Sequence, residues 1–165
     1  MASFKCEGME EFIETCIFTE KSLDRVIGRS IYPGAKIMSN AIKLATEGIP
    51  VNDRLFAFAA YYGRMRKGIT SRQKKALIDS MGIAEIKKNR FGYNVKVGWD
   101  GYNDIVSERW PKGQPNAMIA RSLNSGTSFL QKYPFVDVTV SANASKTVQA
   151  ISDQFDKELD KIWNK

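Results

Sequence analysis

The sequence predicts an α+β fold, a small antiparallel sheet packed by a long N-terminal helix and a C-terminal amphipathic helix. Three observations carry that expectation. Val148, Ile151, Phe155, Leu159 and Ile162 recur at helical spacing, with Asp153, Asp156, Lys157, Glu158 and Lys161 facing away, the pattern of an amphipathic helix. Phe91, Tyr93, Val95, Val97 and Trp99 alternate with Gly92, Asn94, Lys96 and Gly98, the period of a strand with one apolar face. A helical stripe also runs through Leu23, Val26, Ile27, Ile31, Ala35, Met38, Ala41, Ile42 and Ala45. The 165 residues contain no internal repeat, low-complexity run or clean linker, so residues 1–165 read as a single domain.

In chain order, residues 3–7 suit a short strand. Met9, Phe12, Ile13 and Cys16 then recur at helical spacing, with Glu10, Glu11 and Glu14 on the other face; acidic residues favour the positive end of a helix dipole. Thr19 or Ser22 is the expected cap of a second, longer helix. Pro33-Gly34 interrupts its stripe, and an interior proline costs about 3 kcal/mol, enough to kink or split a helix. The stripe keeps its phase across the break, so helix is expected on both sides, stopping at Gly48 before Pro50.

Residues 49–71 read as a long connection, with Leu55–Tyr62 as a short docked helix. A helix starting at Thr70-Ser71-Arg72-Gln73 is expected to run through Met81 to Gly82. Ile83–Lys87 is the expected hairpin partner of the 91–99 strand, turning at Asn89-Arg90, and Asp100-Gly101 is a turn signal. Residues 102–115 read as a second long loop, carrying Trp110. From Gln114 a helix begins that leaves at Asn124-Ser125-Gly126-Thr127, where Asn or Gly makes a left-handed exit easy. Tyr133-Pro134-Phe135 then leads towards the last helix.

The chemistry is mostly negative. With no histidine, histidine-dependent triads and histidine metal sites are excluded within this chain. No glycine-rich phosphate loop of the common kinds occurs. Asp100, Asp104 and Glu108 sit beside Arg109 and Lys112 and read as solvated turn residues. Cys6 and Cys16 read as reduced thiols. No catalytic, cofactor-binding or metal residues are assigned, and the expectation is a protein that is not an enzyme. The longest strongly apolar run, Leu55–Tyr62, is too short for a bilayer. The first residues lack the pattern of a signal peptide, so the expectation is no membrane and synthesis in the cytoplasm.

The net charge of +7 is uneven. Residues 51–96 hold 11 Lys/Arg against 3 Asp/Glu, whereas residues 1–50 and 97–165 are nearly balanced, so the whole excess lies in one segment. Arg64, Arg66, Lys67, Arg72, Lys74 and Lys75, interleaved with Tyr61 and Tyr62, form a candidate anionic-partner surface. The pattern matches no helix-turn-helix, zinc-finger or RNA-recognition signature. A basic nucleic-acid-binding module using residues 64–90 is the alternative reading of function.

Four blocks carry a resemblance. They are Ile31-Tyr-Pro-Gly-Ala-Lys-Ile-Met38; Gly68-Ile-Thr-Ser-Arg-Gln-Lys-Lys-Ala-Leu-Ile-Asp-Ser-Met-Gly-Ile83; Tyr93-Asn-Val-Lys-Val-Gly-Trp-Asp-Gly-Tyr102; and Pro111-Lys-Gly-Gln-Pro-Asn-Ala-Met-Ile-Ala-Arg121 with Asn124-Ser-Gly-Thr-Ser128. In this order they resemble a phage tail-component family, the tail-completion or head–tail joining proteins of long-tailed phages. The resemblance covers roughly residues 20–160. It departs after Phe135, where Val136-Asp-Val-Thr-Val140 replaces a basic residue and a proline.

The resemblance implies a structural virion protein of the tail or neck, made in the bacterial host cytoplasm and encoded by a phage or prophage. Such proteins assemble as ring homo-oligomers, often hexamers. The implied partners are copies of itself, tail-tube proteins and neck or connector proteins, with DNA passing non-specifically through the lumen. On that expectation loops 49–71 and 102–115 supply interfaces that become ordered on assembly, because aromatic residues commonly anchor interfaces. The candidate interface residues are Phe56, Phe58, Tyr61, Tyr62, Trp110 and Arg121. Asn124, Ser125, Gly126 and Thr127 form a backbone signature.

Overall fold

The computed structural model describes residues 9–53, 67–90 and 92–163, with side chains from Leu23 onward. The expected strand at 3–7 and the expected helix at Leu55–Tyr62 lie outside the described residues. Helix α1 (Met9–Glu47) is a single element of 39 residues, about 58 Å long. The two helices expected here are one, uninterrupted at Thr19, Ser22 or Pro33-Gly34. The reason is tertiary. Val26, Ala35 and Ile42 are buried on both sides of Pro33, so packing against the last helix outweighs the proline cost.

That last helix, α4 (Phe135–Trp163), has 29 residues and starts well before the periodic stretch from Val148. It runs antiparallel along α1. A Cβ added at Gly34 would stand 2.5 Å from Ile151 Cγ1 and 3.0 Å from the Thr147 carbonyl oxygen. Gly34 therefore permits the close approach of the two helices, at the very dipeptide that reads in sequence as a break. Further along, Arg29 Nη1 meets Glu158 Oε2 at 3.3 Å. Glu158 is only 6% exposed and also accepts from Gln154 Nε2 at 3.0 Å and Lys161 Nζ at 2.5 Å. These partners, Lys161 foremost and Arg29 after it, hold its carboxyl below the usual range.

Between the long helices the chain forms α2 (Ser71–Asp79), then a β ribbon, then α3 (Asn116–Ser125). Helix α2 stops before Met81-Gly82, which the sequence pattern had assigned to it; both residues belong to β1 (Met81–Ile83). The expected single strand 91–99 is two, β3 (Gly92–Asn94) and β4 (Val97–Trp99). β4 pairs with β1, Met81 opposite Trp99 and Ile83 opposite Val97. β3 pairs with β2 (Lys87–Asn89), Lys87 opposite Asn94 and Asn89 opposite Gly92. Three residues, 84–86, face two, 95–96, so one extra residue interrupts the ladder as at a bulge. The result is an α+β fold with two small antiparallel two-stranded sheets.

The core gathers at the C-terminal end of α1. Ile42, Ile49, Ile69, Leu77, Ile119, Ala120, Leu123, Leu130 and Phe135 form one buried cluster. Trp99 packs on Phe135 with ring centroids 5.7 Å apart. The molecule thus has a compact head around this cluster and an arm where α1 and α4 continue together. The β2–β3 hairpin is tied to the arm at Asp24, which accepts from Tyr93 Oη and pairs with Lys88 Nζ at 2.9 Å. No helix among the described residues is long and apolar enough to cross a membrane.

Candidate interface groove

Buried amides build the head's surface. Thr70 and Gln73 form a reciprocal cap at the start of α2: Gln73 N donates to Thr70 Oγ1 at 3.2 Å, and Thr70 N donates to Gln73 Oε1 at 3.1 Å. The remaining end of Gln73 donates from Nε2 to Gln114 Oε1 at 2.8 Å. Asn103 Oδ1 accepts from Ile105 N and Gln114 N, both at 3.0 Å. Asn116 donates from Nδ2 to the Asp100 carbonyl at 3.0 Å. Gly113, at φ +92°, lets the loop fold back on itself; a Cβ there would stand 1.8 Å from the Asn103 carbonyl oxygen. Loop 102–115 is therefore shaped by bonds within the chain, not by assembly as the sequence reading expected.

Between this loop, the start of α2, α3 and the turn after it lies a groove of about 360 Å³. Ile69, Ile119 and Leu130 line its base, and Trp110, Met118 and Phe129 its sides. Phe129 is 53% exposed, with Tyr102 and Val106 exposed on the same head. The Arg109 guanidinium lies over the Trp110 ring at 5.6 Å from its centroid, an attractive geometry. Arg109 lines the groove, Lys67 adjoins its lining residue Gly68, and Arg121 follows Met118 by one helical turn. The rim is thus cationic and the interior apolar.

Of the candidate interface residues, Trp110 lines this groove and Arg121 is exposed on α3 without an ion-pair partner among the described residues. Phe56, Phe58, Tyr61 and Tyr62 lie outside the described residues, as do Arg64 and Arg66. The other candidate cations divide. Lys67 and Lys75 are exposed. Arg72 is engaged by Asp104, with Nη2 2.7 Å from Oδ2 and Nε 3.2 Å from each carboxylate oxygen. That pairing lowers the Asp104 pKa and raises that of Arg72. Lys74 Nζ reaches the Glu47 and Ile49 carbonyls at 2.5 and 2.9 Å, satisfying acceptors that the end of α1 leaves open. The basic segment is therefore partly internal fastening.

The backbone signature has separate tasks. Asn124 Oδ1 accepts from Val136 N at 3.0 Å and Asp137 N at 3.3 Å, so the end of α3 caps the start of α4. Gly126 leaves α3 at φ 77° and ψ 164°, a positive-φ exit but an extended one, outside the left-handed helical region expected. Thr127 Oγ1 accepts from Leu130 N at 3.0 Å, turning the chain towards the groove. Ser125 is exposed. Sequence reasoning missed Gln73, Asn103, Gln114, Asn116 and Phe129. Their one local signal is the string of amides among Gly and Pro residues, which reads as ordinary loop.

Among the described residues no group of His, Cys, Asp and Glu could hold a metal ion. Asp100 accepts from the Gly101 amide at 2.7 Å, a turn contact. In comparisons with protein-family models, curated proteins and solved structures, nothing matches this chain.

Proposed function

We propose that this chain is a structural assembly subunit of the tail-completion or head–tail joining kind, working by protein–protein contact in a ring and not by catalysis. The observation that supports it is where the four resembling blocks fall. Met38, Ile69, Leu77, Met81, Trp99, Ile119 and Ala120 belong to the core cluster or pack against it. Gly126 and Asn124 shape the connection from α3 to α4. The blocks thus specify a scaffold, while an apolar groove with a cationic rim remains open on the surface. An open groove of that composition suits a peptide or helix better than a small polar substrate.

The test is the oligomeric state, by light scattering and electron microscopy, with and without a tail-tube protein. Ring-shaped oligomers, alone or on the tube end, support the proposal. A chain that stays monomeric in both conditions overturns it. Nucleic-acid binding through residues 64–90 is less favoured, because Arg72 and Lys74 are engaged within the chain. Tight duplex binding with a steep salt dependence would reverse that preference.

A further inference from the structure

The arm ends unevenly. Gly34 meets Thr147 and Ile151, and Arg29 meets Glu158. Continued in the same antiparallel register, Trp163, the last residue of α4, stands beside Leu23–Asp24. Asp24 is also where the β2–β3 hairpin is tethered. The first fourteen residues of α1, Met9–Ser22, therefore extend beyond the last turn of α4, by about 20 Å. Within them Met9, Phe12, Ile13 and Cys16 stand one or two heptads before Leu23, Val26 and Ile27. The apolar register that α4 covers further along, at buried Val26 and Ala35, thus continues past the end of its partner. Trp163 is 57% exposed at that same end.

Charge says what such a stretch would meet. Met9–Ser22 holds Glu10, Glu11, Glu14 and Glu20 against Lys21 alone. The two segments that build the groove are the reverse. Residues 67–75 hold four cations and no acid, and residues 109–132 hold Arg109, Lys112, Arg121 and Lys132 and no acid. The groove cannot be filled by the same chain's overhang. Ser22 is about 36 Å along the helix axis from Thr46, whose neighbour Ile49 shares a cluster with the groove residues Ile69, Ile119 and Leu130.

We infer that Met9–Ser22 docks into the cationic groove of a second copy of this chain, an inference that rests on the assembly reading above. An amphipathic helix supplies the apolar anchors, Ile69, Trp110, Met118 and Phe129 receive them, and the opposite charges fix the orientation. The contact joins different surfaces of two identical chains. It propagates head to tail and closes into a ring when its rotation permits.

A charge swap tests it on the full chain. One variant carries Glu10→Lys, Glu11→Lys and Glu14→Lys; another carries Arg109→Glu and Arg121→Glu. Circular dichroism and urea unfolding first establish that both fold like the parent. Each alone should self-associate at least tenfold more weakly than the parent in light scattering at low salt. An equimolar mixture should recover association, because each variant then offers the charge the other needs. If the parent assembles and the single variants do so equally, or if the mixture stays monomeric, the docking contact is overturned and the assembly reading stands. Reversals without effect are also the result if other residues of the same chain cover the overhang. A parent that is monomeric alone and with tail-tube protein overturns both.

Discussion

The arm and the head are held by different forces. In the arm, α1 and α4 pack along a repeated apolar register, and each turn does much the same work as the next. In the head, short elements are joined by single polar contacts with no repeat: Gln73 to Gln114, Asn103 to the amides of Ile105 and Gln114, Asn116 to the Asp100 carbonyl. A buried amide without its partner forfeits about 1–3 kcal/mol, whereas one apolar position in a long helix pair can repack. Damage should therefore be abrupt in the head and graded in the arm.

The largest expected effect is in the head, at Gly113→Ala. The residue sits at φ +92°, and a Cβ would meet the Asn103 carbonyl oxygen at 1.8 Å. The loop has to open, releasing the Asn103–Gln114 bonds. Backbone strain and overpacking together should cost about 3 kcal/mol or more, read as a lower urea midpoint. Retention of the parent midpoint would mean that the loop is not fastened as described. Gly34→Val in the arm should cost less, about 2 kcal/mol, because Ile151 can change rotamer where a carbonyl cannot move aside. Hydrogen exchange should rise mainly in α1 and α4. Equal loss of protection in α2 and α3 would show that arm and head are one cooperative unit.

Asn124→Ala lies at the junction and should cost about 1 kcal/mol, the usual worth of a helix cap. The loss should appear as faster exchange at the Val136 and Asp137 amides, whose acceptor it removes. Asn124→Asp should restore most of the stability, since a carboxylate also accepts there and favours the helix N-terminus. A variant indistinguishable from the parent would show that the start of α4 is held by Phe135 packing alone.

This contrast also explains which parts were legible in the sequence. The arm advertised itself through periodicity, and its one misreading came from local propensity at Pro33-Gly34, where long-range packing prevails. The period-two stretch correctly marked a β ribbon. It could not reveal the extra residue at 84–86, because the interruption depends on the partner strand. The head was barely legible. Asn124 caps a helix that begins eleven residues later, and Lys74 fastens the end of a helix that finished 27 residues earlier. Neither relation has a local signature, since both depend on chain segments brought together only by folding. The groove shares this property: Ile69, Trp110 and Phe129 are far apart in sequence and meet only in the folded head.

The smallest expected effect concerns acid, and it divides by region. Asp24 and Glu158 in the arm, and Asp53 and Asp104 in the head, all have folded-state pKa values below their ordinary ones. For Asp24 the leading cause is the Tyr93 hydroxyl, for Glu158 Lys161, for Asp53 the Ser71 hydroxyl and for Asp104 the Arg72 guanidinium. Because each group ionises more readily when folded, its contribution is complete above the ordinary carboxylate range near pH ~4. It fades as pH falls through the lower folded values. Stability should therefore hold steady from pH 7 to 5 and decline below about 4. Three of these pairs are solvent-exposed and individually weak, so the decline should be shallow. Glu158 is the exception in position, buried between Arg29, Gln154 and Lys161. Glu158→Gln should flatten the acid limb in the arm's exchange while leaving the head's unchanged, and Asp104→Asn should do the converse. Equal flattening of both regions by either variant would mean that the charges act through global unfolding, and the division into arm and head would have no thermodynamic content.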